Sequence, residues 1–97
     1  RFIVSTMPRV PYYAGCRQIE FPPEGDADAV RAYVEKKGAH YLLVDFEDPI
    51  LDRFHPGFRE RFQDGQGAPP GYVRGATWRV DSRRRPIRLV LYRVAEP

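Results

Sequence analysis

The longest apolar run in the chain covers residues 41–44 and is extended by Phe46 after a single aspartate, Asp45. A run this short, with Gly38 before it and acidic and proline residues after it, has the length of a strand. Its apolar residues are consecutive rather than alternating, which is typical of a strand covered on both faces, as in a parallel α/β sheet. We therefore predict that this segment is a buried central strand.

The segment before this strand has the pattern of an amphipathic helix. Asp26 is a suitable N-cap, and Val30, Tyr33 and Val34 recur at the spacing that forms one buried stripe. Gly38 is a typical residue for the position just after a helix end. The sequence thus predicts a strand–helix–strand unit leading into the apolar run.

Four more strands are predicted from short runs of β-prone or alternating residues, at 2–6, 17–21, 72–80 and 86–94. The last of them is apolar on both faces, which predicts that it is central as well. Short helices are predicted within residues 7–15, at 48–54, and around Phe58 and Phe62, which lie four residues apart.

These elements predict one α/β domain over residues 1–97. The predicted architecture is a small three-layer sandwich, in which the first three strands are parallel and the last two form a C-terminal antiparallel hairpin. The hydrophobic fraction of 42% is that of a folded protein and excludes a disordered chain. No apolar segment approaches the roughly 20 residues needed to span a bilayer.

The single cysteine, Cys16, excludes an internal disulfide and a multi-cysteine metal site. No histidine lies near it in the sequence, so a plain thiol is favoured over a nucleophile.

The strand at 2–6 follows Arg1 directly, without an initiator methionine. From this we expect the chain to be a domain of a longer protein.

The cluster of acidic residues after the central strand is the most distinct candidate for a functional site. Asp45, Glu47, Asp48 and Asp52 lie close to His55 in the sequence, at the carboxyl end of the strand, where open α/β sheets bind ligands. Such groups can hold a divalent cation, contact a substrate or transfer protons. The alternative is structural: Asp45 ends the strand, Asp48 caps a helix and the others are solvated. The spacing fits no metal-binding loop, so no metal is predicted.

Two further groups are candidates for ligand contact. Arg83, Arg84 and Arg85, between the last two strands, can meet phosphates or anionic lipid headgroups, or can simply be a solvated hairpin tip. Tyr12 and Tyr13 can contact a substrate or pack internally. No motif for a nucleotide or for nucleic acid is present, so neither a cofactor nor a nucleic-acid partner is predicted.

Three segments resemble one family of membrane proteins. MPRVPYYAG at residues 7–15 resembles a P-x-x-x-Y-Y-A-G segment, GAHYLLVD at 38–45 resembles a Gly-x-x-Tyr-Leu-Val-Val-Asp segment, and LYRV at 91–94 resembles a Val-Tyr-Arg-Val segment. The family is that of bacterial polytopic glycosyltransferases, either dolichyl-phosphate-mannose–protein mannosyltransferase-like or aminoarabinose-transferase-like. The matched segments occur in the family's order and are spread over most of the chain, from residue 7 to residue 94.

This resemblance implies a C-terminal extracytoplasmic domain, on the periplasmic face of the bacterial inner membrane, of an enzyme that uses a polyprenyl-phosphate sugar donor. It implies that the catalytic acidic residues lie in the membrane part, so the domain itself is non-catalytic. The implied partners are the transmembrane domain of the same chain and lipid headgroups or lipid-linked sugar. The alternatives are a free-standing ligand-binding or regulatory α/β domain, and a small enzyme using Asp45, Glu47 and His55.

Overall fold

The computed structural model describes residues 1–6, 15–81 and 83–95. Its five strands form one mixed sheet in the order β2-β1-β3-β5-β4. The strands are β1 (Phe2–Ser5), β2 (Arg17–Glu20), β3 (Tyr41–Asp45), β4 (Tyr72–Asp81) and β5 (Pro86–Val94). β1 pairs in parallel with β2 and β3, whereas β5 pairs antiparallel with both β3 and β4. The predicted α/β fold with three parallel strands and a C-terminal hairpin is confirmed, and β3 is its central strand.

Three helices are described, α1 (Ala27–Lys36), α2 (Ile50–Phe54) and α3 (Phe58–Arg61). The predicted cap of α1 is present, since Asp26 Oδ1 accepts a hydrogen bond from Ala29 N at 2.9 Å. Gly38 follows the helix with a φ of +65°, a conformation that glycine adopts without strain. A 3₁₀ turn at Gln63–Gly65 follows α3.

All three described helices pack on one face of the sheet. Val30 and Val34 from α1, Leu51 from α2, and Phe58 from α3 share one cluster with buried residues of the strands. Leu42 and Val44 lie on this face of β3, while Leu43 lies on the other face with Ile3 and Leu91. Both faces of β3 are therefore buried, as predicted. The helix predicted at residues 7–15 falls outside the described residues except for Gly15.

Aromatic side chains fill the core between the helices and the hairpin. Phe58 and Phe62 are stacked with ring centroids 4.4 Å apart, and Phe62 also meets Tyr92 at 5.0 Å. Phe46, at the end of β3, lies 6.3 Å from both phenylalanines. This aromatic group anchors α3 to the middle of the sheet.

In the described part of the chain, no helix has the length and apolar character needed to cross a membrane.

Tyr92 makes the stability of this core depend on alkaline pH. Its side chain is buried and its hydroxyl donates a hydrogen bond to Gly67 O at 2.9 Å. Burial raises the pKa of Tyr92 to about 12, from 10.0 for the solvated group. A group whose pKa is higher in the folded state stabilises fully below its unfolded pKa and loses that contribution as pH rises. We expect the free energy of unfolding, measured with urea, to fall between pH 10 and pH 12.

A Tyr92→Phe variant is the control for this effect. It should be less stable at neutral pH, because a buried hydrogen bond to Gly67 is lost, but its stability should fall less steeply between pH 10 and pH 12. Burial also raises the pKa of Tyr72, so part of the slope remains in the variant. An identical alkaline slope in both proteins would contradict the assignment to Tyr92.

Candidate functional site

The carboxyl end of β3 holds the acidic residues singled out by the sequence, and Asp45 is at their centre. Its side chain is fully buried, and Oδ1 accepts hydrogen bonds from Glu47 N and Arg88 N, both at 3.0 Å. Oδ2 lies 2.8 Å from Arg85 Nη1 and forms an ion pair with it. Asp45 therefore links the end of β3 to the start of β5.

Asp48 has the geometry of a cap. Its Oδ1 accepts a hydrogen bond from Ile50 N at 3.0 Å, at the start of α2. Its Oδ2 lies 3.8 Å from Arg85 Nη2, so one guanidinium faces two carboxylates. Asp45 thus ends a strand and Asp48 caps a helix, as in the structural alternative drawn from the sequence.

A second set of ion pairs joins the remaining carboxylates to two arginines. Arg88 Nε lies 3.3 Å from Glu47 Oε1, and Arg88 Nη2 lies 2.9 Å from Asp64 Oδ1. Arg59 Nη1 reaches the same Asp64 oxygen at 2.7 Å. Arg59 also holds Asp52 with two parallel hydrogen bonds of 3.0 and 3.1 Å. These contacts connect β3, β5, α2 and α3 at one end of the sheet.

The protonation of this network suits a structural role. The hydrogen bond from Arg59 holds the pKa of Asp52 below its usual value. Burial acts to raise the pKa of Asp64, but hydrogen bonds from Arg59 and Arg88 outweigh it, so the net change is downward. A general acid or base works best when its pKa is near the working pH. Asp52 and Asp64 are instead held in the anionic form at neutral pH, because the pKa of each is lowered.

His55 is not part of this network. Its side chain is buried, and Nδ1 lies 2.7 Å from Gly25 O. Its ring meets Phe21 edge-on at a centroid distance of 4.8 Å. His55 has no contact with a carboxylate of the described residues, and its Nε2 has no hydrogen-bond partner among them. The structure therefore does not bring His55 together with Asp45 and Glu47.

The other predicted contact residues are separated as well. Arg83 and Arg84 are exposed at the hairpin turn, whereas Arg85 is engaged by Asp45. Tyr12 and Tyr13 lie outside the described residues. Cys16 is half-buried against the second face of the sheet. Within residues 1–6, 15–81 and 83–95, no group of three or more His, Cys, Asp or Glu side chains could hold a metal ion.

A groove that the sequence did not reveal lies at the carboxyl ends of β1 and β2, with a volume of about 330 Å³. It is lined by Ser5, Thr6, Glu20, Phe21, Pro22, Pro23, Ile50 and Phe54. Thr6 Oγ1 accepts a hydrogen bond from Asp45 N at 2.9 Å, which ties the groove to β3. Because its lining comes from three separate segments, local sequence patterns could not assemble it. The only local feature of the sequence that pointed to this groove was the pair Pro22 and Pro23, directly after a predicted strand.

Fold and contacts together define a small α/β domain with an arginine–carboxylate network at one end of its sheet. A scan of protein-family models, a search of curated proteins and a search of solved structures each found no match to the chain.

Proposed function

We propose that this chain is a non-catalytic, extracytoplasmic domain of an integral-membrane glycosyltransferase that uses a polyprenyl-phosphate sugar donor. The observation that carries the proposal is the engagement of the acidic residues at the end of β3. Asp45, Glu47 and Asp48 all face arginines, and Asp45 Oδ1 also accepts hydrogen bonds from two backbone N–H groups. Side chains held in this way stabilise a fold and are poorly placed for proton transfer or nucleophilic attack.

The resemblance supports the choice of parent protein. Of the three similar segments, 38–45 includes β3 and 91–94 lies in β5. These two strands are neighbours, and Leu42 is directly opposite Tyr92 in the antiparallel register. Two segments that resemble the family thus build the centre of one sheet. This supports a family resemblance that concerns the scaffold of a domain rather than a reaction.

In this proposal the chemistry takes place in the membrane part of the same chain. The domain covers that site from the periplasmic side of the bacterial inner membrane and helps to admit an acceptor. Its partners are the transmembrane domain and the lipid headgroups or lipid-linked sugar next to it. No residue of the described ranges is assigned a catalytic role.

The test uses the full-length parent chain. We expect its gene to encode several transmembrane helices, and reporter fusions to place this domain on the extracytoplasmic side. Glu47→Gln and His55→Gln in that chain should leave sugar transfer unchanged, while deletion of the domain should reduce it. A parent chain without membrane spans would overturn the proposal. Loss of transfer in Glu47→Gln with normal protein levels would show that the domain takes part in the chemistry.

The groove beside Thr6 and Phe54 favours a second candidate, a free-standing domain that binds a small ligand. Its location at the carboxyl ends of parallel strands is the usual ligand position in open α/β sheets. The two candidates differ in whether the groove of the isolated domain binds a small soluble ligand. Under the second candidate, a small-molecule library should shift the NMR signals of Thr6, Ile50 and Phe54. A library with no hit at these residues would count against it.

A further inference from the structure

The β4–β5 hairpin carries most of the positive charge of the protein. Residues 72–94 contain seven arginines and one acidic residue, Asp81. The rest of the chain contains nine basic and twelve acidic residues. The net charge of +3 is therefore the sum of a strongly basic hairpin and a mildly acidic remainder. Such an asymmetry indicates a partner with negative charge at the hairpin.

Not all seven arginines are available to a partner. Arg85 and Arg88 are ion-paired with carboxylates, and Arg74 Nε donates to Gly65 O at 2.7 Å. The other four are exposed, and no carboxylate of the described residues lies within ion-pair distance of them. They are Arg79, Arg83, Arg84 and Arg93. The positive charge that remains is thus on the outer strand, at the turn and near the end of β5.

The same hairpin exposes apolar side chains on one face. Trp78 lies opposite Leu89 and Val80 lies opposite Ile87, and directly opposed residues point to the same side of a sheet. Leu89 packs with the cluster on the second face, so this is the face away from the three described helices. Trp78 is 37% exposed and Val80 is 47% exposed.

The exposed apolar residues of this face form a strip along β4, and arginines lie at both of its ends. Val73, 43% exposed, lies opposite Arg93 at one end of the hairpin. At the other end, Arg83 and Arg84 follow closely after Val80. At about 3.3 Å per residue, the strip from Val73 to Val80 is about 20 Å long.

We infer that this face of the hairpin docks on the surface of an anionic lipid bilayer. We name it the hairpin face. It consists of Val73, Trp78, Val80, Ile87, Leu89 and Arg93, together with Arg83 and Arg84 of the adjoining turn. Tryptophan favours the membrane–water interface, and arginine is attracted by the negative potential of anionic headgroups. A bilayer surface offers both environments side by side, with acyl chains just below a layer of phosphates.

Charge and apolar exposure together favour lipid over the other anionic partners. A nucleic acid would satisfy the arginines but would leave Val73, Val80 and Ile87 against phosphates and water. A second copy of the chain would cover the valines but would bring Arg83, Arg84 and Arg93 of each copy close to like charges. The inference rests in part on the proposed function, which names lipid headgroups as a partner, and deepens it by assigning the surface that meets them. Its test uses this chain alone and therefore can fail or succeed separately from the assignment of the parent protein.

The single tryptophan makes the inference directly testable, since Trp78 lies within the hairpin face. The 97-residue chain is titrated with vesicles of phosphatidylcholine alone or with added phosphatidylglycerol. We expect binding only to the anionic vesicles, with a blue shift of Trp78 fluorescence and with affinity that falls as salt is added. Binding is measured independently by co-sedimentation.

Matched variants distinguish binding through the hairpin face from nonspecific attraction by the positive charge of the whole protein. The double variant Arg83→Gln, Arg84→Gln should weaken vesicle binding about 25-fold, since each arginine near an anionic surface contributes about a factor of five. The control is Arg17→Gln, Arg53→Gln, which removes the same charge from exposed positions on β2 and α2 and should have little effect. Val80→Ser should also weaken binding, because it removes apolar contact without changing charge.

Several results would overturn the inference. These are equal binding to neutral and anionic vesicles, an equal loss in both double variants, or an unchanged affinity for Val80→Ser. A blue shift caused by inorganic phosphate or glycerol phosphate alone would indicate a free-anion site instead. A concentration-dependent dimer whose formation shifts Trp78 without lipid would assign the face to a second copy. None of these outcomes depends on whether the parent chain is a glycosyltransferase.

Discussion

Replacement of Phe62 by alanine is expected to destabilise the domain by about 3–5 kcal/mol. Phe62 is fully buried, stacks on Phe58 at 4.4 Å, and contacts Tyr92 at 5.0 Å and Tyr72 at 5.3 Å. Removal of the ring loses its transfer free energy and leaves a cavity between α3 and the hairpin. A domain of this size has a total stability of about 5–15 kcal/mol, so the variant keeps only part of it.

Urea unfolding followed by circular dichroism measures this loss. Phe54→Ala is the matched control, because it removes the same ring from a side chain that is 48% exposed at the end of α2. Its cost should be within about 1 kcal/mol, since surface substitutions rarely cost more. Similar midpoints for the two variants would show that Phe62 is not the centre of the core described above.

Replacement of Asp45 by alanine is expected to have a comparable effect, about 3–5 kcal/mol, through a different cause. The variant leaves the N–H groups of Glu47 and Arg88 without their acceptor and removes the nearer of the two carboxylates that face Arg85. Asp45→Asn keeps one oxygen for the two N–H groups but places an uncharged amide against the guanidinium of Arg85. Its stability should therefore fall between those of the wild type and the alanine variant.

The control for Asp45 is a carboxylate of the neighbouring ion-pair network that is open to solvent. Asp52 pairs with Arg59, but its side chain is 65% exposed. Exposed ion pairs contribute at most about 1 kcal/mol, so Asp52→Ala should cost much less than Asp45→Ala. If the two variants lose equal stability by urea unfolding, Asp45 does not have the structural role that we assign to it.

Elements with local signals could be predicted from the sequence. The cap at Asp26, the stop at Gly38 and the unbroken apolar residues of β3 lie within twenty residues of one another, and each has a direct physical cause. The apolar residues on both faces of β5 likewise indicated its position inside the sheet. The bulge between Arg74 and Thr77 was not predicted, although Gly75 within a strand is a common signal for one.

The candidate site depends on contacts that local patterns do not contain. Asp45 meets Arg85, forty residues further along the chain, and His55 meets Gly25, thirty residues earlier. Closeness in sequence suggested one cluster of Asp45, Glu47 and His55. The intervening helix α2 instead carries His55 to Gly25, and β5 brings arginines to the carboxylates. The order of the strands determines the arginine partners of the carboxylates, and the position of α2 determines the partner of His55.

The position of β4 at the edge of the sheet has a consequence for self-association. Among the strands that the structure describes, β4 is paired on one side only, and a strand of ten residues with an unpaired edge is a template on which another chain can add a strand. The bulge between Arg74 and Thr77 interrupts the regular spacing of that edge, and Arg79 places a charge on it. We expect two such edges to pair poorly, because both are irregular and both carry a positive charge. The irregular outer strand thus protects concentrated protein against growth of the sheet from one molecule to the next.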